Sequence, residues 1–181
     1  MQKKSPTSVH AYLAAAISGK RREGFAATIE AAYAGVIFET NPQASAPWRT
    51  IWGAGKAAED LIMLARAIFR LIEEYPEGTD LTVYVKGPGL PDRLATDFDN
   101  PPKTRRKPYS NVDEWRQLQS LRHRFVIATQ DTPVLPRASK LAKAKLGEAL
   151  QKGLGDFDAV ITDDTRNWGF GPCDPEEEGT A

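Results

Sequence analysis

Lys103, Arg105, Arg106 and Lys107 fall within five consecutive positions. Cations this close together present several N–H donors to phosphate oxygens, and such contacts hold a backbone without reading bases. Lys20, Arg21, Arg22, Arg122 and Arg124 could extend the same patch, although a solvated charge run is the plainer explanation. Trp48 and Trp52 are four apart, which on a strand puts both on one face, where they could stack on bases. Aromatic side chains so placed more often fill a core or cover a helix. The remaining reactive groups are scattered. His10 and His123 have no metal-like spacing, and Cys173 is the single cysteine, so no internal disulfide can form. Gly87-Pro88-Gly89 lacks the flanking Gly-Lys-Ser/Thr of a phosphate loop.

The charges are unevenly distributed. Residues 153–181 carry eight acids and one base, a net −7, which leaves +7 on residues 1–152 of a chain whose total is zero. A basic body with an acidic tail is a pattern met among nucleic-acid binders, and a merely solubilising tail is its simple alternative. The organisation expected is a flexible N-terminus over 1–8, one domain over 9–152 and an acidic C-terminal extension over 153–181. No run of 18 apolar residues occurs, so no membrane span and no membrane partner are expected. Without a secretory signal pattern and with one cysteine, a cytoplasmic location is expected.

Several elements must position these groups. Val9–Ile17 fits either a strand or an Ala-rich helix capped by Ser8. Phe25–Thr40 is apolar and partly β-branched, and ends at Asn41-Pro42. Trp48–Trp52 reads as a short strand closed by Gly53-Ala54-Gly55. Leu61, Leu64, Ala65, Ile68, Leu71 and Ile72 recur at helical spacing and predict a helix over Ala57–Tyr75, stopped by Pro76. Leu81–Val85 is a strand that stops at Gly87-Pro88-Gly89. A short helix near Asp92–Phe98 follows. Asn111 caps a helix running to Arg124, with Trp115, Leu118 and Leu121 on one face. Phe125–Thr129 is a strand and Arg137–Gln151 a helix ended by Gly153 and Gly155. Phe157–Thr162 could add a further strand. Strands first, then helix, strand, helix, strand, helix, is an α/β plan with a mixed sheet and right-handed crossovers.

One segment is more specific. Lys107-Pro108-Tyr109-Ser110-Asn111-Val112-Asp113-Glu114-Trp115-Arg116-Gln117-Leu118 resembles the K-P-x-x-N-x-D-x-W-x-x-L segment of bacterial-type ribonuclease HI. Around it, Asp60–Leu71 resembles the family's first helix, Leu81–Val85 the strand that ends in a catalytic aspartate, and Ser139-Lys140-Leu141-Ala142 the final D-E-L-A helix. The resemblance covers residues 9–150 and implies a ribonuclease H-like mixed five-stranded sheet with helices on both faces. It also implies a role for Trp115, together with Lys103, Arg105, Arg106 and Lys107, in contacting nucleic acid.

The family cleaves the RNA strand of RNA–DNA hybrids with two divalent ions about 4 Å apart. Magnesium needs hard oxygen ligands and hence clustered carboxylates. Carried over one by one, the family's four acid positions fall at Ala14, Asp60, Lys86 and Ser139, with Glu59 a one-residue slip from Asp60. Asp60 is the surviving carboxylate of the four. Lys86 weighs most against a metal: unit charges at 4 Å interact by about 4 kcal/mol at an effective dielectric of 20, and a divalent ion roughly doubles that. Lys86 is therefore expected to pair with Asp60 across an abandoned site. A rival register makes Val9–Ser18 helical and puts Glu30 at the first acid position. The resemblance thus implies a degenerate member that binds hybrid or DNA without cutting it. A protein-interaction scaffold and an active endonuclease with an altered metal site are the alternatives. No cofactor is expected, and magnesium or manganese would serve if the site were active.

Overall fold

The computed structural model describes residues 8–18, 29–40, 48–105, 108–152 and 158–162. In chain order these form β1 (Ser8–Ile17), β2 (Ile29–Glu39), β3 (Trp48–Ala57), α1 (Asp60–Glu74), β4 (Asp80–Tyr84), α2 (Gly89–Leu94) and α3 (Val112–Ser120). A turn of 3-10 helix at Arg122–Arg124, β5 (Val126–Ala128), α4 (Leu135–Lys152) and β6 (Asp158–Thr162) complete the order. The sheet runs β5-β4-β1-β2-β3-β6. β4 pairs in parallel with β1 and β5, and the other pairs are antiparallel. The five expected strands are contiguous, and β6 adds a sixth beside β3.

β1 is a strand, which removes both the helical alternative and the register built on it. It runs from Val9 opposite Glu39 to Ile17 opposite Ala31, with β4 on its other side. Its ambiguity in sequence has a physical cause, because both faces of the strand are covered. Val9, Ala11 and Leu13 join the larger core under α1, while Tyr12 packs with Val134 and Leu135, and Ala14 lies beside Leu141 and Ala142 of α4. A central strand buried on both sides is an apolar run, and the alternation of a half-buried strand is erased.

Helices cover both faces. α1 lies over β1, β2 and β3 with α2 and α3 beside it, and α4 packs on β1 and β2 from the other side. Ile62, Met63, Ala65, Ile68 and Leu71 of α1 are buried with Trp115 and Leu118 of α3. Gly35 is demanded by close approach: a Cβ there would collide with Leu13 Cδ2 and lie 2.9 Å from Ile51 Cγ2.

Some boundaries differ from expectation. β3 does not close at Gly53 but continues to Ala57, because Gly53 and Gly55 pair with Tyr33 and Ala31 of β2. α1 consequently starts at Asp60. The helix expected to reach Arg124 ends at Ser120 and gives way to the 3-10 turn. α4 starts at Leu135, with Pro136 in the first turn, where its missing N–H costs nothing. Asn111 does not cap with its side chain. It is left-handed at φ 56°, and its amide donates to Glu114 Oε1 at 2.7 Å.

Candidate functional site

The C-terminal ends of the parallel strands β1 and β4 open into a cavity of about 650 Å³. Tyr12 is level with Tyr84, so Ala14, still paired with Ala34 inside β1, is level with Lys86, two residues past the end of β4. Asp60 is the first residue of α1, while Ser139, Lys140 and Lys143 share the first turns of α4, and Asp131 and Thr132 lie on the loop that leads into it. All of these line the one cavity, so Ala14, Asp60, Lys86 and Ser139 converge from four separate elements.

The charges inside it differ from the expected arrangement. Lys86 and Asp60 form no ion pair, and Asp60 Oδ1 instead accepts the Leu61 N–H at 2.9 Å. Both side chains are exposed, so solvation competes with a contact that is worth little at the surface. Glu59 is already engaged, accepting from Arg93 Nη1 at 2.6 Å and Nη2 at 3.0 Å. Glu30 lies opposite Lys56 on β2, accepts the Ser18 hydroxyl at 3.2 Å and does not line the cavity.

Two carboxylates, Asp60 and Asp131, thus share the cavity with three lysines, Lys86, Lys140 and Lys143. Among the described residues no three His, Cys, Asp or Glu side chains come together as a metal-binding group. A pair of hard divalent ions needs several converging oxygens, and a donor set this sparse and this cationic does not fit them. Phosphate oxygens suit three ammonium groups far better. Among the described residues, Lys86, Lys140 and Lys143 make no hydrogen bond or ion pair, and all are exposed.

Trp115 cannot contact nucleic acid as expected, because its ring is 0% exposed. It is a support instead. Arg93 Cζ lies 5.5 Å from the Trp115 ring centroid and 5.2 Å from that of Tyr109, which holds the guanidinium against Glu59. Arg105 Cζ sits 3.4 Å over the other partner, Tyr109, and both Lys103 and Arg105 are exposed. A basic surface therefore adjoins the Asp60 end of the cavity through Tyr109, Arg93 and Glu59. Arg106, Lys107, Lys20, Arg21, Arg22 and Cys173 lie outside the described residues. Arg122 and Arg124 do not simply extend the patch: they donate to the carbonyls of Phe125 at 2.7 Å and Tyr75 at 3.0 Å. Trp52 follows the plainer reading, half-buried with Lys145 Nζ 4.7 Å from its ring centroid.

Asp131, Lys140 and Lys143 were not singled out by sequence. Lys143 had a usable signal, since residues four apart share a helix face and Ser139 was already marked, while Lys140 is the next residue in the quoted Ser139–Ala142 stretch. Asp131 sits in a turn whose chain path no periodicity gives.

No family model matches this chain, and no curated protein matches it. Solved structures do. LC9-RNase H1, a type 1 RNase H with the type 2 active-site motif, superposes with a TM-score of 0.58 at 14% identity, over 82% of this chain and 75% of that one. LC11-RNase H1, isolated from compost, gives 0.51 at 13% identity, over 80% of this chain and 99% of that one. At such identities the likeness is one of fold, and the fold is ribonuclease H-like.

Proposed function

We propose that this chain is a nucleic-acid-binding protein built on a ribonuclease H-like fold that holds phosphates where its relatives in fold hold metal ions, and that it does not hydrolyse what it binds. One observation carries the reading. The four positions that the resemblance assigns to catalytic acids are Ala14, Asp60, Lys86 and Ser139, and they line a cavity in which lysines outnumber carboxylates three to two.

Lys86 stands at the end of β4, so its charge occupies the place from which a metal would be held. An ammonium there repels a dication and attracts a phosphate by the same Coulomb term. Lys140 and Lys143 add two further donors from α4, and exposed Arg105 is linked to the Asp60 end through Tyr109, Arg93 and Glu59. Such contacts give affinity that falls with salt and reads no sequence. Nothing in this reading requires a membrane, and no described helix is long and apolar enough to cross one.

The test is a labelled RNA–DNA hybrid incubated with magnesium or manganese, with a gel-shift on the same substrate and Asp60→Asn as control. A shift without cleavage is the expected result. Cleavage that disappears in Asp60→Asn would overturn the inactive reading and favour a metal site built on Asp60 and Asp131. Neither shift nor cleavage would overturn nucleic-acid binding and leave the fold as a scaffold for a protein partner.

A further inference from the structure

A second cavity, of about 300 Å³, adjoins the first on the α4 side of the sheet. Asp131 and Thr132 line both. Its wall is aromatic. Tyr12 and Tyr84 stack with centroids 4.5 Å apart and planes 13° apart, His10 stacks on Tyr84 at 5.9 Å, and Phe38 lies 6.4 Å from His10. The parallel register of β1 and β4 sets Tyr12 beside Tyr84, and the antiparallel register of β1 and β2 sets His10 beside Phe38. α4 begins only at Leu135, so it covers Tyr12 and Val36 but leaves Phe38, His10 and Tyr84 partly open.

The cluster is ordered by polar contacts. His10 Nε2 lies 3.0 Å from Ser8 Oγ, and its Nδ1 lies 3.2 Å from the Tyr84 hydroxyl. Both nitrogens are thus occupied, which makes the imidazole a ring surface rather than a proton donor to a ligand. Gln130 brings an exposed amide, able to donate and accept, to the rim. At the seam, Thr132 Oγ1 is buried with no hydrogen-bond partner among the described residues. A buried hydroxyl without a partner is costly, and its place between the two cavities is where a ligand spanning both would pass.

From this juxtaposition we infer that the two cavities together seat one nucleotide of a single-stranded nucleic acid, its base against the aromatic wall and its phosphate on Lys86, Lys140 and Lys143. The inference rests on the proposed use of the lysines as phosphate holders, and it adds a preference for unpaired bases. A base locked in a duplex cannot offer its face to an aromatic wall, whereas every base in a single strand can. A π-face surface with one amide at its rim tolerates any base, so the preference is for strandedness and not for sequence.

The full chain is titrated with a labelled single strand and with an abasic strand of equal length, which keeps the phosphates and lacks the bases. Stacking on one aromatic site predicts that the abasic strand binds about 10-fold more weakly. Equal binding of the two strands overturns the base seat without using any variant. Tyr84→Ala should bring the single strand down to the abasic level and leave abasic binding unchanged, while Tyr84→Phe keeps the ring and the affinity. Lys86→Glu should weaken both strands. If Lys86→Glu weakens both but Tyr84→Ala weakens neither, the base seat falls and the phosphate reading stands. If Lys86→Glu changes neither, the phosphate reading falls and takes the seat with it. Binding of a free mononucleotide as tight as that of the strand overturns the assignment to a polymer.

Discussion

One arginine and three lysines, at two places along β1, are treated in opposite ways. Near Val9, Arg49 donates to Glu39 Oε1 at 2.8 Å, to Glu74 Oε1 at 3.2 Å and to the Tyr75 hydroxyl at 3.2 Å, and that hydroxyl donates in turn to Glu39. Near Ala14, Lys86, Lys140 and Lys143 share a cavity and have no partner among the described residues. The paired cation is an arginine, whose planar fork suits fixed pairing, and the others are lysines, compact and well-hydrated point charges. The pairing binds β2, β3 and α1 together. Three lysines without partners beside two carboxylates leave the cavity with an excess of positive charge that contributes little to the fold, and the proposed phosphate site rests on that excess.

The comparison breaks if neutralising the lysines changes stability more than binding. Lys86→Gln, Lys140→Gln and Lys143→Gln combined should lower the slope of log affinity for a single strand against log salt by about 0.7, since the three lysines share one phosphate and each phosphate of a single strand contributes close to that. The melting temperature should stay where it was. A lower melting point with an unchanged slope would put these lysines in the wrong class.

Removing a paired carboxylate should do the reverse. Glu59 and Arg93 are mostly buried, with side chains 20% and 14% exposed. Glu59→Gln leaves the Arg93 guanidinium without its counter-charge and should cost about 2 kcal/mol of stability, below the range for a fully buried pair. Urea unfolding measures this, and binding by the folded fraction should be unaltered.

Alkaline pH sharpens the contrast further. Burial, with Tyr84 beside it, pushes the Tyr12 hydroxyl from 10.0 up to about 12. Burial and the hydrogen bond to Glu39 raise Tyr75 as well. A pKa raised on folding means that the folded state keeps its proton while the unfolded chain loses it. Stability is therefore intact below pH 10 and falls as pH rises above it, by about 1.4 kcal/mol per pH unit for each such group until its folded pKa is reached. Tyr75→Phe should flatten part of that fall in melts taken from pH 9 to 11, and an unchanged profile would mean that the network does not couple to folding.

The smallest effect concerns the acidic segment. Removing residues 163–181, which hold six acids and one base, keeps β6 and should tighten binding a few-fold at low salt and not at high salt. Equal affinity at both salt concentrations would separate the tail from the lysines.

Much of the architecture was legible because the periodic elements are long. α1 shows its heptad-like spacing openly, and the segment from Lys107 to Leu118 carries the pattern on which the resemblance rested. Legibility failed where burial is two-sided, as on β1, and where pairing overrides local propensity, as at Gly53 and Gly55. It failed most for side-chain roles. Trp115 carried a contact role by resemblance although its spacing with Leu118 already put it on an apolar helix face, and its burial decides for the core. All four acid positions could be placed together by analogy, and they do line one cavity, but the company they keep, Asp131, Lys140 and Lys143, comes from a loop and a helix face that only the fold joins.

β6 has a consequence for how this protein can fail. Its five residues pair with Thr50–Ala54 of β3, and β5, at the other margin of the sheet, is three residues long. An open margin of unpaired N–H and C=O groups is a template for a strand from another molecule. Cutting the chain before Asp158 would expose Thr50–Ala54 of β3 while keeping the other five strands and the four α-helices. Such a truncation should remain folded in dilute solution and become prone to aggregation as its concentration rises.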